Sequence, residues 1–176
     1  NEIKEIDPYL VFGCNFSIRK DIINKTKGFH PDGMPHDIIE YRGDGESAIS
    51  EFIKSNKLKT IYHPKASVFH VVSKDRLTID YLRRRAFNQG VSDSYASIRN
   101  SNPDIPKKVI NIKFILKKVL HLLIRVFKNK LSESINVVSI CYKAMGDGHK
   151  EGFAFHQQKV KESSELKAWV KKNNYL

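Results

Sequence analysis

Hydrophobic residues along the chain fall into short blocks with two different periods. Tyr9-Leu10-Val11-Phe12 is a continuous apolar run ending in Gly13, which predicts a buried strand leaving for a loop. Ser17 is placed to cap a helix reaching about Lys25, with Gly28 as its stop. Ala48, Ile49, Phe52 and Ile53 recur at helical spacing, so Glu46 to Asn56 reads as an amphipathic helix with Glu46 on its first turn. Thr60 to Tyr62 reads as a short strand broken by Pro64. Ala66 to Val72 alternates as a second strand, with Ala66, Val68, His70 and Val72 on one face. Thr78 is a cap for a helix from Ile79 to Asn88, which Gly90 would end.

Two longer features complete the pattern. His30 to Gly45 contains Pro31, Gly33, Pro35 and Gly43, a long loop of the kind that in compact domains serves function or motion. After a proline-marked linker from Asn102 to Pro106, Ile110 to Lys130 reads as a strongly apolar and basic helix. Ser134 to Met145 reads as another, and Gly146, Gly148 and Gly152 read as a flexible connection to a last helix, roughly Phe155 to Lys172. The division is therefore an α/β part, residues 1–101, and a helical C-terminal extension, residues 102–176.

The chain has 176 residues, 40% of them hydrophobic and 28% charged, which suits one ordinary folded domain rather than a disordered segment. The first residue is Asn1, and a piece of something longer is the expectation. Net charge is +12. No acidic residue occurs from Ile105 to Ser132, while Lys107, Lys108, Lys113, Lys117, Lys118, Arg125, Lys128 and Lys130 lie within that stretch. Such a block calls for an anionic partner. Three readings stand for it: a core helix with basic edges, a helix lying on an anionic membrane face with its lysines snorkelling, and a nucleic-acid surface. The last is disfavoured, because the block has few aromatics to stack bases and no reading motif, so no nucleic acid is expected as partner. Cys14 and Cys141 make no disulfide framework and read as free thiols, which places the chain in the cytoplasm. The apolar stretches are broken by Lys and Arg, so none spans a bilayer.

Val11 to Arg99 carries an ordered series of motifs. Gly13-Cys14-Asn15 is followed by Arg19-Lys20 and by Lys27-Gly28-Phe29. Gly43-Asp44-Gly45-Glu46 then opens a helix, and Tyr62-His63-Pro64 follows some eighteen residues on. Next come Val68-Phe69-His70, Arg83-Arg84-Arg85 and Gly90-Val91-Ser92. Gly152-Phe153-Ala154-Phe155-His156-Gln157, then Glu165-Leu166-Lys167-Ala168-Trp169-Val170 and Tyr175, stand near the C-terminus. This order resembles the second half of family 2 glycosyltransferases of the GT-A fold, a Rossmann-like mixed sheet, and the tail of many bacterial members. Residues 102–145 match only loosely.

The resemblance implies an inverting transfer of a sugar from a nucleotide diphosphate sugar to an acceptor hydroxyl. The acceptor would be a growing surface glycan or a lipid-linked sugar, and the enzyme would be peripheral at the inner face of the membrane. It implies a divalent cofactor, manganese or magnesium. By position Glu46 takes the role of catalytic base, with Asp44 as the alternative. Asn15, Arg84 and Arg85 become substrate-binding residues, with the arginines steadying the leaving diphosphate, and His70 a ligand of the metal or the diphosphate. There are departures. The family's acidic pair is an adjacent Glu-Asp, whereas here Gly45 separates Asp44 from Glu46. The family's Asp-x-Asp motif for metal and diphosphate does not occur in the chain. A part lacking that half of the donor site would be inactive alone.

Each site residue also has a plainer reading. Glu46 can simply favour the positive end of its helix, worth about 0.3–1 kcal/mol. The glycines around Asp44 tip Glu46 toward function, because they let a ligand approach the backbone. Asp44 is a loop or cap residue, an acceptor ligand, or the group that orients Glu46. His70 is either a core residue between Val68 and Val72 or a ligand. Asn15 either meets substrate or caps the following helix. His30, His36 and His63 have no ligand spacing and read as structural or exposed. The competing function is a non-catalytic basic module that holds an anionic polymer or membrane surface.

Overall fold

A computed structural model describes residues 2–11, 13–101 and 131–176, with side chains described from residue 136 onward in the last segment. The predicted helix from Ile110 to Lys130 and the linker at Asn102 to Pro106 lie outside the described residues. Seven regular elements are described. Strand β1 (Lys4–Glu5) and strand β2 (Ile61–Tyr62) form one antiparallel pair, with Lys4 opposite Tyr62 and Glu5 opposite Ile61. The helices are α1 (Lys20–Thr26), α2 (Glu46–Ser55), α3 (Ile79–Arg99), α4 (Leu131–Glu162) and α5 (Ser164–Val170). The chain is thus mixed α and β, with helix dominating the described residues.

Helix α2 forms where the spacing of Ala48, Ile49, Phe52 and Ile53 predicts it, and Ile49 is fully buried. Its N-terminal turn needs Gly45, which sits at φ +38 with Asp32 packed where a side chain would be. The Tyr9–Phe12 stretch departs from the predicted strand. Asp7 accepts a hydrogen bond from the Tyr9 N–H at 3.1 Å and Pro8 fixes the next backbone angle, so Pro8–Leu10 closes as a 3-10 turn, with Tyr9 and Leu10 exposed. That turn docks on α2. The Ser50 hydroxyl donates to the Pro8 carbonyl at 3.1 Å, and Lys54 pairs with Asp7 at 2.9 Å. Helix α1 starts later than Ser17 would place it. It ends on Lys27 at φ +58, and the Gly28 N–H donates to the Ile23 carbonyl at 3.1 Å.

The second predicted strand is also corrected. Ala66 to Val72 forms no strand pairing among the described residues, and Val68, Phe69, His70, Val71 and Val72 are all exposed. Alternation gives a segment a strand-like face, but a strand needs a neighbour to satisfy its backbone.

The glycines of the second half overturn the expected breaks. Helix α3 begins on the Thr78 cap, whose hydroxyl accepts from the Tyr81 N–H at 3.2 Å, and continues through Gly90 to Arg99. Helix α4 runs unbroken through Gly146, Gly148 and Gly152. A Cβ on Gly90 would stand 2.1 Å from the His149 carbonyl oxygen. One on Gly148 would meet the Arg83 carbonyl at 2.4 Å, and one on Gly152 the Phe87 carbonyl at 2.0 Å. These glycines are where two helix backbones touch, and their cost in helix propensity, about 1 kcal/mol each, is offset by that approach. Gly148 lies beside Arg83, Gly152 beside Phe87 and His156 beside Ser94, so α3 and α4 run in the same direction. Asp93 meets His149 at 2.7 Å and Arg83 holds Glu151 with two hydrogen bonds of 2.7 and 2.9 Å along this contact.

The core lies at the far end of the helix pair. Tyr95, Val160, Leu166 and Val170 form it, with Tyr41, Ile98 and Trp169 packed around them. Ser163 caps α5 by accepting from the Leu166 N–H at 3.1 Å, and the Trp169 indole donates to the Tyr41 carbonyl at 3.0 Å. That bond anchors the long loop, residues 30–45, to the C-terminal helices. No helix among the described residues is long and apolar enough to cross a membrane.

Candidate functional site

An open cleft of about 1280 Å³ lies between the long loop and the N-terminal half of α3. The loop ends in Gly43-Asp44-Gly45-Glu46 and is pinned from behind. Gly43 donates its N–H to the Pro31 carbonyl, and the Ser92 hydroxyl of α3 donates to the Gly43 carbonyl at 2.9 Å. With its backbone fixed there, α2 starts at the cleft and Glu46 lines it. Glu46 also lines an adjoining cavity of about 310 Å³ toward Phe16 and Phe29. Its carboxylate oxygen lies against Gly13, where a side chain would collide with it.

The same cleft is lined by His70, Arg84 and Arg85. Both arginines are exposed, and neither makes a hydrogen bond or ion pair with another described residue. Arg83 lines the cleft too, but its guanidinium is committed to Glu151. His70 is exposed on an irregular segment, so the core reading of this residue fails. Four residues named from the sequence, Glu46, His70, Arg84 and Arg85, therefore share one cleft. Guanidinium groups that make no hydrogen bond among the described residues can hold phosphate oxygens, and a carboxylate lining the same cleft can accept a proton.

Asn15 and Asp44 do not line it. The Asn15 side-chain amide donates to the Ala66 carbonyl at 2.7 Å, which ties the Gly13–Asn15 turn to the segment that carries His70. Asn15 neither caps α1, whose N-cap is Arg19, nor faces the cavity. Asp44 sits behind the loop with a side chain only 19% exposed, 3.9 Å from His30. Burial pushes its carboxyl up to about 6, against weaker lowering by its own backbone hydrogen bond and by Arg99. Burial pushes His30 down to about 4, helped by the Arg99 charge. At neutral pH the contact is thus between a carboxylate and a neutral imidazole, not an ion pair.

Among the described residues no three His, Cys, Asp or Glu side chains converge into a metal-binding group. His70 is a single donor, and the described side chains around it do not complete a set for manganese or magnesium. His36 faces the cleft and His63 is exposed, accepting from the Lys65 N–H at 3.2 Å. Both cysteines are free, with Cys14 exposed at the cleft edge.

Arg42 is a cleft residue that the sequence did not single out. Its guanidinium reaches the Met34 carbonyl at 3.4 Å and stands 3.9 Å from Asp32. The only signal was its place two residues before Asp44 in a functional loop. Tyr95, whose hydroxyl lies 3.5 Å from His30 Nδ1 and is hydrogen-bonded to the Tyr175 hydroxyl, was likewise unmarked.

No family model, curated protein or solved structure matches the chain.

Proposed function

We propose that this chain is the acceptor-side part of an inverting GT-A glycosyltransferase, which moves a sugar from a nucleotide diphosphate sugar to an acceptor hydroxyl. One observation carries the reading. Glu46, His70, Arg84 and Arg85, spread over 40 positions of sequence, line a single cleft, with the carboxylate on the loop side and the arginines on the helix side.

In this reading the acceptor hydroxyl enters beside Glu46, which takes its proton as the acceptor oxygen bonds to the anomeric carbon. The bond from that carbon to the diphosphate oxygen breaks on the opposite side, and the electron pair leaves with the diphosphate. Arg84 and Arg85 meet the charge that develops there. Asp44 lies out of the cleft, mostly buried and 3.9 Å from His30, and takes no step here. The described residues do not complete a metal site, so no step is assigned to one. The acceptor class, a surface glycan or lipid-linked sugar, rests on the resemblance, as does peripheral attachment to an anionic membrane through the basic segment outside the described residues.

Calorimetry with a nucleoside diphosphate tests the donor side in the full-length protein. Replacing both Arg84 and Arg85 with Gln should weaken binding by at least about tenfold, the effect of losing charge-assisted hydrogen bonds worth about 1.5 kcal/mol or more. Unchanged affinity would remove the arginines from the donor site.

A further inference from the structure

Two spaces meet at Glu46. Glu46, Asp32 and Gly13 line both the large cleft and the adjoining cavity of about 310 Å³. Arg84, Arg85 and His70 line only the cleft, and Phe16 and Phe29 line only the smaller cavity. Different chemistry is therefore gathered around one shared carboxylate.

Phe16 and Phe29 form the apolar surface of the smaller cavity. Their rings stand edge to face, with centroids 6.0 Å apart and 72° between the planes. Phe29 is 43% exposed, so much of a large apolar ring is left open to solvent. The backbone before it is tied down. The Gly28 N–H donates to the Ile23 carbonyl at 3.1 Å, and the Lys27 carbonyl accepts from the Tyr175 N–H at 2.9 Å. The Gly13–Asn15 turn that precedes Phe16 is held to the Ala66 carbonyl by the Asn15 amide. Both rings are thus carried on anchored segments, which lowers the ordering cost of binding a ligand between them.

The charged groups of this cavity are two carboxylates. One Asp32 oxygen accepts from the Gly33 N–H at 2.7 Å, and the other makes no hydrogen bond among the described residues. Glu46 reaches in because Gly13 has no side chain to block it. No Lys or Arg is among the described residues lining the cavity, and burial keeps His30, the other titratable group there, neutral at pH 7. Two negative charges without a cation reject phosphate, so a diphosphate belongs with the arginines of the cleft. A carboxylate accepts hydrogen bonds and donates none, so the occupant must bring the donors. It must also bring an apolar face for the rings. A neutral pyranose has both, with C–H bonds on the faces of its ring and hydroxyls around the edge. At about 310 Å³ the cavity lies at the lower end of small-molecule sites, about 300–1,000 Å³, which suits one such ring.

We propose that the cavity lined by Phe16, Phe29 and Asp32 binds the terminal sugar of the acceptor, a neutral pyranose that packs on the phenylalanines, donates a hydroxyl to Asp32 and turns its reacting hydroxyl to Glu46. The sugar's role as acceptor rests on the transferase reading; the binding of a sugar here does not.

Saturation-transfer and chemical-shift titrations on the full-length protein test the site. The probes are the methyl pyranosides of glucose, galactose, mannose and N-acetylglucosamine, with choline as a cation that also suits aromatic rings and carboxylates. At least one pyranoside should bind and shift the Phe16 and Phe29 ring signals, and choline should not displace it. Phe16→Ala and Phe29→Ala each remove an apolar face and should weaken that binding by at least about fivefold. Phe29→Tyr keeps the ring and should keep the affinity. Calorimetry with a nucleoside diphosphate should give the parental value in all three variants. No pyranoside bound, choline bound in its place, or equal losses of sugar and diphosphate affinity in both alanine variants would overturn the assignment. In turnover by the full-length protein, Phe29→Ala should raise the acceptor KM and leave the donor KM unchanged. Sugar binding that depends on both rings, in a protein that transfers no sugar, would keep the site and sink the transferase reading. Transfer whose acceptor KM neither alanine variant moves would keep the transferase reading and overturn the site.

Discussion

Replacing Asp44 with Asn should stabilise the protein at neutral and alkaline pH and lose that advantage in acid. Asp44 is mostly buried, and its carboxyl is raised from 3.8 to about 6. The sign follows from linkage. A raised carboxyl means the folded state prefers the neutral acid. Its contribution to stability is therefore complete below 3.8 and is lost as pH rises through about 6. At about 1.4 kcal/mol per pH unit, the cost of holding the ionised group at pH 8 is about 3 kcal/mol. Asn keeps the shape and carries no charge at any pH, so it removes that cost. Any constant effect of the amide is present at every pH and cancels in the comparison. Urea unfolding of parent and variant at pH 8 and pH 4 gives the two differences. The stability gap between them should grow by about 2–3 kcal/mol from pH 4 to pH 8, in favour of Asn. An equal gap at both values, or one that grows in favour of Asp, would refute the burial argument.

Two further outcomes follow from the packing. Gly90→Ala should destabilise by at least about 1–3 kcal/mol, because its Cβ would overlap the His149 carbonyl, whereas Gly146→Ala, with nothing within 4 Å, should gain about 0.5–1 kcal/mol from helix propensity. Thermal unfolding decides, and equal effects at the two sites would contradict the helix contact described. His30 and His156 are both lowered by burial to about 4, so each contributes stability that is present above 6.5 and lost as pH falls through 4. That is about 3 kcal/mol apiece, of which the opposite titration of Asp44 offsets one share. A net loss of about 3 kcal/mol between pH 6.5 and 4 is expected, and histidine spectra showing His156 titrating near 6.5 would contradict it.

Local chemistry was readable from the sequence, and distant contact was not. The α2 stripe of Ala48, Ile49, Phe52 and Ile53 and the Thr78 cap are properties of neighbouring residues, and both appear where expected. Gly90, Gly148 and Gly152 misled because a glycine in a helical pattern carries the same letter whether it ends a helix or admits a second backbone. Only the partner helix distinguishes the two. Ala66 to Val72 alternates like a strand, yet pairing depends on a neighbour that the alternation does not specify. At the cleft, Glu46, His70, Arg84 and Arg85 came from the order of motifs. The His30–Tyr95–Tyr175 cluster joins residues 65 and 80 positions apart, a distance at which no pattern in the chain ties one to another.

The central claim is that Glu46 takes the proton of an acceptor hydroxyl. Steady-state turnover by the full-length protein, parent against Glu46→Gln, with saturating nucleotide sugar and acceptor, measures it most directly. Gln keeps the size of the side chain and cannot accept that proton, so turnover should fall by at least about a hundredfold while binding of the donor changes little. Near-parental turnover in Glu46→Gln, with loss in Asp44→Asn, would contradict the account and move the base to Asp44.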